Sequence, residues 1–548
     1  MTHLLIPVIA LLVGGCGTGS SVMNGYQTDL LIPGSEMHGV HGLAFDAAGE
    51  LYGASLAGYS IYHIRRDTGK VTTEVGPFSG NSDDLAFGPD GTLVWTAGAY
   101  SAIYARKPDG EIVTLATDLA GVNSVNFSPD GRLFITRVFG GDHLYEIDVA
   151  GQEPPRLVAK QLGGLNGFEV TADNKLYGPL FFKKKVVEVD IETGEVRDFA
   201  DGFTTPAAVN IDQNGNLYVV DYATGEVTRI RMSDGERSII ATLDPPLDNL
   251  AIDDRGWVYV SNPAFNRITE IDPDTGATRI IVEGNLSLPG DIAMGSNGAE
   301  DALFIADFWG NRFADPDSGE LTRFPPPQGV TASASIAISD DYYAVSSIWP
   351  FGVVYVIERA TNKLVKRVAV GAPYGMAFLD DGSLLVADYK KGQVLHIAAG
   401  KSRDKSVLVD NLDGPVGLAV NERMNWVYVS EYNSGAVIRF PLGRVICTQA
   451  VTQECEKTES VITDLDKPEG LATDIAGGLY VAETGTNKVW ILPVDGQAPV
   501  VIGNIPMGLA AGEDMPAPFI PTGISVDEHY RVYVSSDIEN AIYRLTVR

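Results

Sequence analysis

Basic side chains are scarce in this chain. Forty Lys+Arg stand against 71 Asp+Glu, a formal charge of −31 over 548 residues. An acidic surface releases no counterions from a polyanion, so nucleic acid is excluded as a ligand, and so is an anionic lipid surface. The longest basic run, Lys183-Lys184-Lys185, is too short to alter that. Cysteine is almost missing, with Cys16, Cys447 and Cys455 as the whole complement. The spacing of the last two excludes a CxxC metal or redox site. No apolar run reaches the ~20 residues a membrane helix needs. There is no G-x-S-x-G elbow, Walker loop, H-E-x-x-H or dinucleotide fingerprint. The acidic turns at Asp272-Pro-Asp-Thr-Gly and Asp315-Pro-Asp-Ser-Gly lack the distal Glu and spacing of an EF-hand. What remains is a globular composition, 45 % apolar, with 60 glycines and 30 prolines dispersed as turn formers.

The N-terminus reads as a processing signal. Leu4 to Val13 is a short apolar run that ends in Val13-Gly14-Gly15-Cys16. These residues resemble the lipobox of bacterial lipoproteins, although Met1-Thr2-His3 lacks the usual positive charge. The resemblance implies cleavage after residue 15 and lipidation of Cys16. It places the chain outside the cytoplasm, lipid-anchored in the cell envelope on the periplasmic or outer face, with residues 16–27 as a tether. Ordinary secretion is the other reading. In that oxidising setting Cys447 and Cys455 fit a loop-closing disulfide.

Internal repetition is the strongest signal. His41-Gly-Leu-Ala-Phe-Asp returns as Asp83-Asp-Leu-Ala-Phe-Gly, and again from Asn123, Asn166, Ala207, Asp248, Gly290, Ala334, Tyr374, Val416, Glu469 and Thr522. Each copy of about 40 residues reads as four short strands separated by Asp-Gly or Asn-Gly turns. Twelve four-stranded units predict an all-β chain of two tandem six-bladed β-propellers, with a split of five and seven as the alternative. If strands from both chain ends mix to close each ring, Thr28–Ile32 completes the blade begun at Asp248. Thr278–Glu283 then completes the blade begun at Thr522. The domains would be 28–277 and 278–548.

The repeats carry a family resemblance. Pro289-Gly-Asp-Ile-Ala with Leu303-Phe-Ile-Ala-Asp, and Pro468-Glu-Gly-Leu-Ala with Leu479-Tyr-Val-Ala-Glu, resemble NHL repeats. The style is similar to that of the regucalcin/gluconolactonase propellers and of the streptogramin lyases. Residues just before each first strand converge on one mouth of the axis: His41, Asp83, Asn123, Asn166, Ala207 and Asp248 in the first ring. The second ring has Gly290, Ala334, Tyr374, Val416, Glu469 and Thr522 there, a blander set. Clustered Asp and Asn oxygens suit a hard cation. The resemblance implies a divalent ion on the first axis, Ca²⁺ foremost, held by Asn123, Asn166 and Asp248. His41, standing where the family has a ligand glutamate, and Asp83 are the candidate catalytic bases.

Aromatic residues recur in the loops around the mouths. Tyr100, Phe139, Tyr222 and Phe265, with Arg137 and His143, are the candidate substrate contacts of the first ring, which would take a small molecule. The resemblance implies a metal-dependent hydrolase of lactone or ester bonds. A non-catalytic envelope lipoprotein binding a protein or glycan is one competitor, with the second ring as a protein-docking face; a lyase is the other.

Overall fold

The computed structural model describes residues 21–77, 79–324, 327, 330, 332–348, 351–442, 458–494, 496–511 and 518–548. Cys16, Cys447 and Cys455 lie outside them, as do the lipobox-like residues before Cys16. Among the described residues no helix is long and apolar enough to cross a membrane.

The local unit is a hairpin clamped by an aspartate. Asp212 Oδ1 accepts the backbone N–H of Asn214 at 2.8 Å and of Asn216 at 2.9 Å, while Tyr218, six residues on, donates its hydroxyl to Oδ2 at 3.1 Å. Asp253 with Tyr259, Asp474 with Tyr480 and Asp527 with Tyr533 repeat the arrangement. A short acceptor that pre-forms the turn, joined to an amphipathic ring that buries its body, nucleates each blade locally. Much of the acidic excess is therefore structural.

Twelve antiparallel sheets follow. Blades 1 to 6 begin with the strands Leu43–Phe45, Leu85–Phe87, Val122–Phe127, Glu169–Val170, Pro206–Ile211 and Leu250–Ile252. Blades 7 to 12 begin with Pro289–Ser296, Ser333–Ile338, Pro373–Phe378, Pro415–Asn421, Pro468–Thr473 and Ile524–Val526. The first strand of each blade touches that of the next; blade 6 returns to blade 1, and blade 12 to blade 7. The chain is two closed rings of six, each built around cores shared between neighbouring blades.

Ring closure departs from the sequence expectation. Tyr26–Ile32 pairs with Ala541–Val547 and so completes blade 12, with Ser21–Met23 beyond it. Thr278–Val282 pairs with Arg267–Ile271 and stays in blade 6. Residues 26–32 therefore belong to the second ring and 278–282 to the first, which is inserted between the closing strand and the rest of the second. The reason is local. The turn from Asp272 to Ala277 is already closed by Asp272 N–H to Ala277 O at 2.9 Å and Gly276 N–H to Asp272 O at 2.8 Å, so a hairpin forms with far less loop-closure entropy than a strand recruited from the other end of the chain.

Without an exchanged strand, the first ring is sealed by side chains. Arg66 donates to Asp253 at 3.0 Å and to the Tyr259 hydroxyl at 3.3 Å, Arg279 donates to the Arg66 carbonyl at 3.1 Å, and Phe45 meets Tyr259 edge-on at 5.0 Å. Met37, Val40, Leu43, Tyr62, Tyr259 and Ile281 make one core across the seam. A cavity of about 710 Å³ opens on its turn face, where Arg65, Arg66, Arg255 and Arg279 all have carboxylate partners.

Candidate functional site at the first mouth

The two rings meet mouth to mouth along one side. Ala57, Tyr59, Leu288, Phe308, Ala334, Phe519 and Ile520 form a shared apolar cluster. Tyr59 contacts Phe519 at 5.3 Å, and Trp309 of blade 7 lies 4.5 Å from the His41 ring. Gly39 faces the indole so closely that a Cβ there would stand 2.5 Å from Trp309 Nε1, and its φ of +69° is one that glycine tolerates best. His38 is spent on structure: its Nε2 bonds the Asp537 carbonyl at 2.8 Å, and burial lowers its pKa.

The predicted first-ring residues do come together. His41 Nδ1 lies 3.1 Å from Asp248 Oδ2 and 3.4 Å from Asp83 Oδ1. Asn123 donates its amide to Asp83 Oδ2 at 2.5 Å. Asn166 joins through Ser124, whose hydroxyl donates to Asn166 Oδ1 at 2.9 Å. Burial pulls the His41 pKa down, but Asp248 foremost, then Asp83 and Asp84, more than offset it, so the imidazole ends above its usual value. Burial raises Asp83 well above the carboxylate range, with His41 opposing and Asp248 adding to the shift. The other imidazole nitrogen, Nε2, is buried and has no hydrogen-bonding partner.

Beneath this layer lie residues that the mouth-position argument missed. Asp84 accepts from the Leu85 N–H at 3.0 Å, from Asn249 across the axis at 3.0 Å and from the Val125 N–H at 3.2 Å; burial pushes it up to about 8. Deeper still, Asn126 and Asn210 donate to Glu169 at 3.2 and 3.3 Å, and burial raises that carboxyl to about 7. The signal was present in the sequence: the first strands Val122–Phe127 and Pro206–Ile211 each carry an asparagine, Asn126 and Asn210, between two apolar residues near the strand end.

A divalent cation does not fit the donor set as it is arranged. His41 Nδ1 occupies the position between the two carboxylates. Asn123 offers N–H rather than oxygen toward Asp83, and the Asn166 oxygen is already held by Ser124. Among the described residues no group of three or more His, Cys, Asp or Glu is placed to hold a metal ion.

The substrate candidates are scattered. Arg137 commits Nε–H to the Ala120 carbonyl at 2.8 Å and Nη2–H to that of Gly140 at 2.5 Å. His143 packs on Tyr145 at 5.6 Å, its Nδ1 buried and unpartnered. Neither hydrogen-bonds to the axial cluster. Phe139 and Phe182, 73 % and 58 % exposed, meet edge-on at 6.2 Å. Phe181 continues the arc to Tyr222 at 5.9 Å. Tyr100 is half-buried in a short 3₁₀ turn of blade 2, and Phe265 faces the second ring.

The second mouth is stoppered. The Tyr374 hydroxyl donates to the Pro518 carbonyl, and Ile520 packs against Gly290 and Ala334. It holds more than the one carboxylate expected, since Asp291 and the buried Asp537, whose charge acts on Glu469, stand there as well. Glu469 accepts from the Thr522 N–H at 2.7 Å and the Thr484 hydroxyl at 2.8 Å, and Asp291 stands one residue beyond the predicted Gly290. Burial raises them to about 8 and about 7.

Residues 105–250 match a family model described as a repeat of unknown function. No curated protein matches the chain. Among solved structures, a gluconolactonase from Xanthomonas campestris is 18 % identical, with 44 % of this chain and 88 % of that one covered and a TM-score of 0.37. A GH74 xyloglucanase from the same organism is 15 % identical, with 95 % and 100 % covered and a TM-score of 0.44.

Proposed function

We propose that the chain hydrolyses lactone- or ester-type bonds at the mouth of the first ring, with His41 as general base. One observation carries the reading: His41 Nδ1 is held by two carboxylates while Nε2 is buried and uncommitted. A carboxylate on Nδ1–H fixes the tautomer that leaves a lone pair on Nε2 and stabilises the cation that forms when Nε2 takes a proton. Water then gives one proton to Nε2 as its oxygen adds to the carbonyl carbon. The bond from that carbon to the ring or ester oxygen breaks, and the leaving alkoxide recovers the proton from the imidazolium. Asn166, its oxygen fixed by Ser124, keeps an N–H₂ end free to donate to the carbonyl oxygen as charge develops there. Substrate enters past Phe139 and Phe182, and the Trp309 indole shifts off the imidazole to admit it. The lipobox puts this chemistry in the cell envelope, anchored through Cys16.

The test is a panel of lactones and aryl esters with the purified chain, paired with metal analysis. His41→Gln is expected to lower kcat by at least about 10², the usual scale of a general base, with the melting temperature kept. Unchanged turnover in His41→Gln overturns the reading. So does activity that vanishes with a stoichiometric divalent ion and returns when it is restored; that result installs a cation held by Asp83, Asp248, Asn123 and Asn166 instead. No turnover of any substrate favours an envelope scaffold.

A further inference from the structure

Beside the first mouth, the second ring presents an arrangement that its own fold does not explain. Arg312 and Arg323 are direct partners on neighbouring strands of blade 7. Like charges placed directly opposite destabilise a sheet. Both guanidinium groups cover the Phe265 ring of blade 6, at 5.2 and 4.8 Å, and Arg267 covers it as well at 4.6 Å.

The three are not equally neutralised. Arg267 is paired with Asp244 at 2.9 Å and with Glu283. Arg312, 2 % exposed, bonds the Ala264 carbonyl and reaches Asp307 at 3.4 Å. That carboxylate already accepts from the Ser287 N–H, the Ser287 hydroxyl and the Leu288 N–H, all within 2.9 Å. Arg312 Nη1 is buried without a partner. Arg323 is exposed, bonds only the Pro245 carbonyl at 3.0 Å, and has no ion pair among the described residues. Desolvation of its partly covered stem and the neighbouring Arg312 charge lower its pKa, and the opposing pull of Asp244 only partly offsets them. In a chain of −31 such a position stands out. It also borders the site: the Pro245 carbonyl that Arg323 bonds stands three residues before Asp248 in the loop entering blade 6, and Trp309 of the same blade 7 packs on His41.

We propose that Arg323, backed by Arg312, is the anchor for a carboxylate on the substrate, so that the site takes anionic esters or lactones and the second ring sets that preference. The proposal rests on the hydrolase reading for its substrate, but the anchor is measurable without turnover. The exposed Arg323 guanidinium offers N–H donors in the planar geometry a carboxylate takes, and the buried Arg312 behind it adds charge rather than contact. The aromatic arc of Tyr222, Phe181 and Phe182 would take the apolar part.

The probes are 4-nitrophenyl hydrogen succinate, which is anionic, its neutral counterpart 4-nitrophenyl butyrate, and free succinate. The wild type is expected to favour the anionic ester in kcat/KM. Arg323→Gln should reduce that ratio by about tenfold or more, the scale of a charge-assisted hydrogen bond, chiefly through KM. Arg323→Lys should restore part of it, and Arg403→Gln, remote in blade 9, should leave it unchanged. An equal ratio in wild type and Arg323→Gln overturns the anchor. Calorimetry with succinate separates the two readings. Binding kept in His41→Gln and lost in Arg323→Gln supports the anchor even if no ester is turned over, which would sink the hydrolase reading alone. Binding indifferent to Arg323 overturns the anchor whatever the kinetics show.

Discussion

The two rings share a blade plan and differ in how they close and in what fills their axes. The second is locked by a strand from the far end of the chain, Tyr26–Ile32 against Ala541–Val547, and its mouth is covered by Phe519 and Ile520. The first has no exchanged strand and relies on a core and ion pairs between blades 1 and 6, yet it gathers an imidazole, four carboxylates and several carboxamides along its axis. The difference separates two tasks. The ring closed by an exchanged strand is the frame, and the ring inserted within it in sequence gathers buried polar groups that cost stability.

The largest expected effect breaks the frame. Removing residues 1–32 exposes the edge of Ala541–Val547 and strips Leu31 and Ile32 from the core they share with Leu303 and Tyr533. The second ring should lose cooperative unfolding or aggregate, while hydrogen exchange shows blades 2 to 5 still protected. Equal loss of protection in both rings would mean that the first cannot stand without its frame.

The seam offers a smaller contrast. Arg66→Ala removes a partly exposed cation from Asp253, which is almost fully buried, and from Tyr259. With Arg255 still paired to Asp253, the cost should be about 1–2 kcal/mol, read as a lower melting temperature that local exchange places in blades 1 and 6. The analogous change in the second ring, Arg531→Ala, should matter less to closure, since backbone pairing with Tyr26–Ile32 remains.

The smallest effect is on pH dependence. Asp84 at about 8, Glu169 at about 7, Asp291 at about 7 and Glu469 at about 8 are raised by burial in the folded chain. A carboxyl whose folded pKa is raised favours the folded state while protonated, so its contribution is full below the unfolded value near 4 and is lost as pH rises through 7 to 8. The chain should melt several degrees higher at pH 5 than at pH 8.5. Asp84→Asn should flatten that slope, and an equal or steeper slope in that variant would contradict the assignment.

The strand repeat, the blade count and the convergence of His41, Asp83, Asn123, Asn166 and Asp248 were all legible, because periodic apolar strands and fixed turns are local properties. Closure was not. Which strand completes a ring is decided by competition between a hairpin already closed at Asp272–Ala277 and a remote partner, and repeat phase does not record that competition. The lower channel groups Asp84, Asn126, Glu169 and Asn210 lie one or three residues beyond the mouth positions Asp83, Asn123, Asn166 and Ala207, so convergence at the mouth does not mark them. Arg312 and Arg323 could not be tied to the first mouth from the sequence, since the contact crosses between rings.

The central claim is that carboxylates hold an imidazole on the first axis. With seven histidines in the chain, ¹³C-histidine NMR resolves His41 by comparison with His41→Gln. The account predicts a His41 titration midpoint above the ordinary value of about 6.5 that falls in Asp248→Asn. A midpoint at or below 6.5 that ignores Asp248→Asn, or a resonance that moves on adding and removing a divalent cation, would contradict it.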